Sequence, residues 1–491
     1  MTVTDEGVPR TGGSRLRAFA EAVLPPTAAR PTAAGSTTAA SPTAAGPSTT
    51  GPSTTGPIAT GPIATGPSTA SPTTARARTG AGYLLGFVAA LTFLLLSPAG
   101  RARLDHLWAE DGARFMVDAV TSPGFANLVD PYGGYLHAFP RLVAELVALL
   151  PLEWTAAGFA VSAAVLRAVV ALISFAASGA YLRSTPLRLA LAALVVVLPA
   201  GNSEPLNNMT NLHWFLLYGV FWALLWRDAP RLPVAAFVFL AAVSSPLVFV
   251  LAPVALLRLA LPRREVPVAF LAGALAQGVT MLFAERTPYS NDVVDPVQVA
   301  LASLLRVPVV AFTGSEQVAR VYPGYGNLPI VLALLLAAAP VVAGLRWGSR
   351  AGRALVLLGV GLSAVVIVVS LTANWAAVLQ VQHPEVVLAG QRYSVAPCLF
   401  LFAAIAVGLD AVPTRRWERL AVVGGRVVIA LVVLASVVLH LRAVRPVLTG
   451  VPWDDSVAGA RVQCAAGGPV GRLDHEPANW FFELPCRDVA G

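Results

Sequence analysis

The sequence predicts an all-α fold: a polytopic bundle of about eleven transmembrane helices, preceded by a disordered N-terminal tail and followed by a small extracytoplasmic C-terminal segment. Three observations carry this. Hydrophobic residues make up 56% of the 491-residue chain and charged residues only 12%. A soluble domain carries about 25% charged residues, so too little polar material remains to cover a water-facing surface and lipid must replace water. Apolar runs approaching the roughly 20 residues of a spanning helix recur through 80–441. The connections between them alternate between short Arg-dense loops and longer ones that hold most of the acids and aromatics.

Residues 1–76 are rich in Ala, Pro, Ser, Thr and Gly, with a five-residue repeat from Gly46 to Ala70 (GPSTT, GPSTT, GPIAT, GPIAT, GPSTA). Pro and Gly at that density block helix and sheet, and little here can be buried, which predicts a disordered cytoplasmic tail. No apolar core of a signal peptide follows the first Arg residues. The predicted spans then run in order at 82–98, 155–181, 189–200, 212–226, 232–244, 247–261, 266–284, 329–345, 354–372, 394–410 and 420–441.

Orientation follows from the loops. Segments 182–188, 227–231, 258–265, 346–353 and 411–419 each carry two or three Arg, and the acids in or beside them are Asp228, Glu265, Asp410 and Glu418. Positive residues gather on the cytoplasmic side, so the N-terminus is expected inside. Loops 99–154, 201–211, 285–328 and 373–393 and the tail 442–491 are then outside, in a multi-pass protein of the inner (plasma) membrane. Residues 136–150 have helical periodicity but carry Arg141 and Glu145, as in a helix lying at the membrane surface. Residues 297–313 either do the same or form a re-entrant piece.

The net charge of +8 is accounted for by the Arg loops, so no nucleic-acid partner is implied. All 34 basic residues are Arg, the mark of a GC-rich coding sequence of the actinobacterial kind. Without Lys there is no phosphate-binding G-x-x-x-x-G-K-[ST] loop, and no ATP partner is expected. Cys398 sits in an apolar run as packing, whereas Cys464 and Cys486 share the outside tail, where an oxidising compartment permits a disulfide.

Candidate chemistry collects on the outside. Glu110 and Asp111 follow the first span, with Gly112 next to let the chain bend. A partly desolvated carboxylate there can act as a general base, and an adjacent pair can hold a divalent cation through oxygen ligands. The alternative is a pair of solvated loop acids or a helix cap. Further on, Tyr132-Gly133-Gly134-Tyr135 suits sugar stacking and close backbone approach, or is an interfacial aromatic belt. Arg141 can pair with Glu145 or reach a phosphate. The loop 201–211 is dense in amides, with Asn202, Asn207, Asn208 and Asn211 beside Glu204 and Thr210, and His213 and Trp214 open the next span. Amides suit hydroxyl-rich ligands and His213 can shuttle a proton. Arg392 and Tyr393 stand at the outer rim before the tenth span, with His383 and Glu385 nearby. An Arg there binds a lipid phosphate or snorkels to headgroups. Arg167, deep in a span, calls for an interior partner, with Glu145, Glu153 and Glu204 as choices.

An acidic pair in the first outside loop of a chain of about eleven spans with a long outside C-terminus resembles the GT-C class of membrane glycosyltransferases. The resemblance covers topology over about 80–491 and one short motif. It implies transfer of a sugar from a polyprenyl-phosphate-linked donor to an envelope glycan or lipid acceptor on the outer face. Asp111 would be the catalytic base, with Glu110 as the close alternative and a divalent cation as the cofactor these two would hold. Arg392 would hold the donor phosphate, with Tyr393, His213, Asn208, Asn211, Tyr135 and Arg141 lining the site. The competing readings are a transporter or lipid or polysaccharide flippase, a polysaccharide polymerase or ligase, and a non-catalytic envelope scaffold. Transporters tend to show repeated halves and mid-membrane polar residues; neither is evident here.

Overall fold

The computed structural model describes residues 12–27, 72–286, 292–376, 379, 381, 390–411, 415–442 and 448–489. The repeat at 46–70, and His383 and Glu385, lie outside the described residues. The chain divides into two units, 28–85 and the remainder. The described part of the smaller is 72–85, the leading part of helix α2 (Pro72–Leu96).

Within the composition-biased tail, residues 12–23 form α1 (Gly12–Val23). Leu16, Phe19, Ala20 and Val23 recur at helical spacing, a signal that the surrounding Pro/Gly/Thr bias conceals. After α2 comes α3 (Pro98–Arg103), where the Ser97 hydroxyl accepts from Gly100 N–H at 3.3 Å and Pro98 takes the first helical turn. The long first loop holds a π-helical turn (Asp111–Met116), α4 (Val117–Thr121) and α5 (Ala138–Val147). The stretch expected on the membrane surface is packed inside this loop instead, with Phe139, Arg141, Val143 and Val147 of α5 buried.

The bundle continues with α6 (Thr155–Ser178), α7 (Thr185–Val197), α8 (His213–Leu225), α9 (Arg231–Ala242), α10 (Ala252–Leu259) and α11 (Glu265–Phe283). Next come α12 (Pro296–Leu304), a π-helical turn where Pro308 lacks its N–H, α13 (Val310–Thr313) and α14 (Ser315–Tyr325). Helices α15 (Leu328–Trp347), α16 (Arg350–Ala373), α17 (Arg392–Asp410) and α18 (Arg416–Arg442) complete it. A terminal lobe adds α19 (Trp453–Ala465), the antiparallel hairpin β1 (Val470–His475) and β2 (Trp480–Pro485), and α20 (Cys486–Val489). Cys464 and Cys486 are bonded, with Cα atoms 5.4 Å apart.

Among the described residues, seven helices are long and apolar enough to cross a membrane: Leu152–Ser178, Glu265–Phe283, Pro296–Thr313, Leu328–Trp347, Arg350–Ala373, Arg392–Asp410 and Arg416–Leu441. Five shorter apolar helices accompany them. These features are compatible with a multi-pass membrane protein. The outermost helices show apolar side chains to the surroundings, Leu335, Leu357 and Leu431 among them, whereas α17 is 94% buried. It forms the hub with α8: Phe400 meets Tyr218 and Phe221 at ring distances of 5.7 and 5.2 Å. The piece 296–313 descends beside α17 until Phe312 meets Phe402 midway along it, and turns back at Gly314, whose φ of +85° favours glycine.

The loops meet in two groups. At one end, Asp410 accepts from Arg183 and Ser184 N–H, Arg231 pairs with Glu265, and Asp228 accepts from Thr27 N–H while Arg227 donates to Leu24 O. At the other end the first loop, 201–211, 390–392 and the terminal lobe converge.

Helices α7 and α8, 13 residues each, span about 20 Å, less than the roughly 30 Å of a hydrocarbon core. The irregular stretch between them is therefore buried, and its backbone must find partners within the protein. Arg167 of α6 supplies three: it donates to Val195 O (2.7 Å), Val196 O (3.1 Å) and Gly201 O (3.2 Å), with its guanidinium 4.1 Å from the Phe215 ring centre. Among the described residues no acid pairs with it. Carbonyls at the end of α7, with the helix dipole behind them, take the place of the expected Glu. Arg167→Met should lower stability by about 1–3 kcal/mol, and Arg167→Lys should recover less than half, since an ammonium lacks the fork that reaches splayed carbonyls. Thermal unfolding in detergent measures both.

Candidate functional site

The chain between α3 and the π turn is held by the terminal lobe. Ala109 N–H donates to Glu476 O at 2.6 Å and Glu476 N–H to Leu107 O at 2.9 Å. Ala109, at φ +27°, occupies a backbone region that side-chain residues avoid, and these bonds hold it there. The buried Glu476 carboxylate accepts from Thr449 and Gly450 N–H, and Trp453 N–H donates to Asp105 O. Gly112 allows the close fit: a Cβ there would stand 2.8 Å from a Leu107 methyl and 2.9 Å from the Phe482 ring.

On this stitched loop the adjacent acids meet different environments. Asp111 is buried, and both its oxygens are taken. Oδ2 accepts from Met209 N–H (2.9 Å), and Oδ1 from Thr210 N–H (2.8 Å) and the Thr210 hydroxyl (2.6 Å). Burial pushes its carboxyl up to about 7; the Thr210 and Met209 donors pull it back and Glu110 adds to the rise. Glu110 is half-buried, and among the described residues its carboxylate faces its own backbone N–H but has no hydrogen bond or ion pair with another residue. Burial pushes it above the usual carboxylate range, Arg392 draws it down and Glu204 pushes it up.

Around Glu110 stand Arg392, Glu204, Tyr132 and Tyr135, all within its electrostatic reach. Arg392 pairs with Glu204 through its guanidinium and its backbone N–H, and donates to the Tyr393 hydroxyl at 3.4 Å. Tyr132 and Tyr135 close a tight turn on each other's backbone across Gly133 (φ +58°) and Gly134 (φ +86°), where side-chain residues would be strained. The Tyr135 ring lies 4.1 Å from His137, which sequence reasoning missed. Burial pulls His137 down to about 3, helped by His213 and Arg141, so it is neutral.

His213 belongs to the same network. Its Nδ1 lies 3.0 Å from Thr210 O, an atom that only accepts, so Nδ1 carries a proton. Thr210 thus links Asp111 on one side to His213 on the other. Arg103, also missed, is buried, lies 4.6 Å over Trp108 and donates to Ser203 O. Burial lowers it to about 10, opposed by Glu476, Asp111 and Glu204.

Other candidates serve the scaffold. Asn208 donates to Glu204 O (2.7 Å) and accepts from Asn211 N–H (2.9 Å), and Asn211 donates to Glu204 O, so these amides fold the buried loop back on itself. Arg141 is buried and reaches Asp118 and Asp130, both at 2.9 Å, in a four-residue network completed by Arg114. Glu145 is not its partner; it accepts from Gly124 N–H and Asn127. No three His, Cys, Asp or Glu converge as a metal set among the described residues. Asp111 has spent both oxygens on donors, so the acidic pair does not fit a divalent cation as ligands. Comparison with protein-family profiles, characterised proteins and solved structures found no match.

The Asp111 environment carries a pH signature. In the native chain the carboxyl keeps its proton between its ordinary value of 3.8 and about 7, where the unfolded chain has lost it. Native protein binds more protons over that window, so this residue's contribution to stability falls as pH rises through it. Thermal midpoints of wild type and Asp111→Asn, compared across pH 4 to 7, should show this slope in the wild type and its absence in the variant.

Proposed function

We propose that this chain is an integral membrane glycosyltransferase that takes a sugar from a polyprenyl-phosphate-linked donor and passes it to a hydroxyl of an envelope glycan or lipid on the outer face. In this reading the six long helices other than Pro296–Thr313 and the five shorter ones make eleven spans, and Pro296–Tyr325 dips in and returns. The N-terminus and the Arg loops are cytoplasmic, and the loops around Glu110 and the terminal lobe are outside. The grouping of those loops at opposite ends supports this.

The observation that carries the proposal is the split between the two acids. Asp111 is consumed by Met209 and Thr210, whereas no other described residue bonds to the Glu110 carboxylate, which stands within electrostatic reach of Arg392, Tyr132 and Tyr135. Glu110 is therefore the general base that removes the acceptor proton. Its raised affinity for protons makes it a stronger base than an ordinary carboxylate. Asp111 is a positioning residue that fixes Thr210 and, through it, the His213 ring. Arg392, neutralised by Glu204 at rest, retains N–H donors for the leaving phosphate. Tyr135 and Tyr132 offer faces for a sugar ring.

Glu110→Gln should lower kcat for polyprenyl-phosphate-sugar turnover in membranes by ~10²–10⁴-fold with KM retained. Arg392→Ala should raise KM for the donor about tenfold or more. Activity of the wild type should rise with pH through a value above the ordinary carboxylate range, because the base acts deprotonated. Full turnover in Glu110→Gln would remove the mechanism.

A further inference from the structure

Away from this site, a cavity of about 670 Å³ lies between α15, α17 and α18, within the roughly 300–1,000 Å³ of ligand pockets. Its floor is Phe312, at the midpoint of α17, and its walls are apolar side chains of the three helices, Leu335, Ala339, Ile405 and Val428 among them. Small residues open it: Ala339 lines it from α15 and Ala421 and Gly424 from α18, where a Cβ at Gly424 would meet nothing within 4 Å. The mouth is of a different chemistry. Arg346, Trp347, Arg415 and Trp417 rim it at the Arg-loop end.

Among the described residues neither the Arg346 nor the Arg415 guanidinium has a carboxylate partner. Glu418 is the acid at this mouth, and it is turned to Arg415 N–H at 3.2 Å. Two cations against one buried carboxylate leave the mouth positive. An apolar slot reaching half the depth of the bundle, with Arg and Trp at its entrance, matches an amphiphile with a hydrocarbon tail and an anionic head.

We infer that this cavity binds an anionic phospholipid of the cytoplasmic leaflet, one acyl chain in the slot and its phosphate between Arg346 and Arg415. The inference rests on the membrane-spanning reading of these helices and not on the transferase chemistry. Since α17 carries Arg392 at its other end, an acyl chain here would brace the helix that presents the site.

The test is native mass spectrometry of the full chain released from nanodiscs of equal phosphatidylglycerol and phosphatidylcholine. Wild type should retain one phosphatidylglycerol in preference to phosphatidylcholine. Arg346→Gln/Arg415→Gln should lose that preference, with apparent affinity down roughly tenfold to thirtyfold. Ala339→Phe, which fills the slot, should lose the adduct with the Arg pair intact. An adduct retained equally in both variants, or no selectivity in the wild type, would overturn the inference. So would displacement of phosphatidylglycerol by equimolar polyprenyl phosphate, which would make the slot a carrier site. The readout is binding, so failure here leaves the turnover prediction for Glu110→Gln untouched, and the reverse holds.

Discussion

Much of this structure depends on how the buried, irregular connection between α7 and α8 satisfies its own backbone. Two helices too short to carry the chain across leave fifteen residues, 198–212, inside a largely apolar interior. An unpaired peptide group there costs a few kcal/mol. Partners come from different directions: Arg167 to the end of α7, Asp111 to Met209 and Thr210, and Asn208 and Asn211 within the loop itself. The same loop also presents Glu204 to Arg392, so satisfying the connection brings the first loop, α8 and α17 together.

This explains why two neighbouring carboxylates are not equivalent. The π-helical turn that begins at Asp111 directs that side chain to the loop, and Glu110, one position earlier, meets Arg392 and the two tyrosines instead. An open environment at Glu110 and a filled one at Asp111 are two outcomes of one backbone path. That path is fixed by Gly112 and by the pairing of Leu107 and Ala109 with Glu476.

The helices were legible in the sequence because apolar runs of that length have few other uses; each of the eleven runs coincides with a helix in the structure. The first-loop acids and Arg392 stood out in the sequence, since polar residues do so against so apolar a background, and the structure brings Glu110 and Arg392 within electrostatic reach of each other. What composition concealed was partnership. Arg167 reads as a buried charge in search of an acid, and the carbonyls that hold it leave no mark in a sequence. The amides of 201–211 read as ligand-binding groups when they are folding the loop that contains them. Helix α1 was hidden by the repeats around it. The Gly-Gly turn between Tyr132 and Tyr135 stood out in the sequence, but His137, whose ring lies against Tyr135, was missed because a single histidine two residues on carries no pattern.

The pairing of residue 476 with residues 107 and 109 has a bearing on timing. Hairpin β1–β2 follows every helix of the bundle in the chain, so the loop that carries Glu110 lacks its pairing partner until the last residues are made. A half-made chain therefore lacks the bonds that hold Ala109 in its strained conformation, and the local order around Glu110 and Asp111 depends on the arrival of residues 448–489.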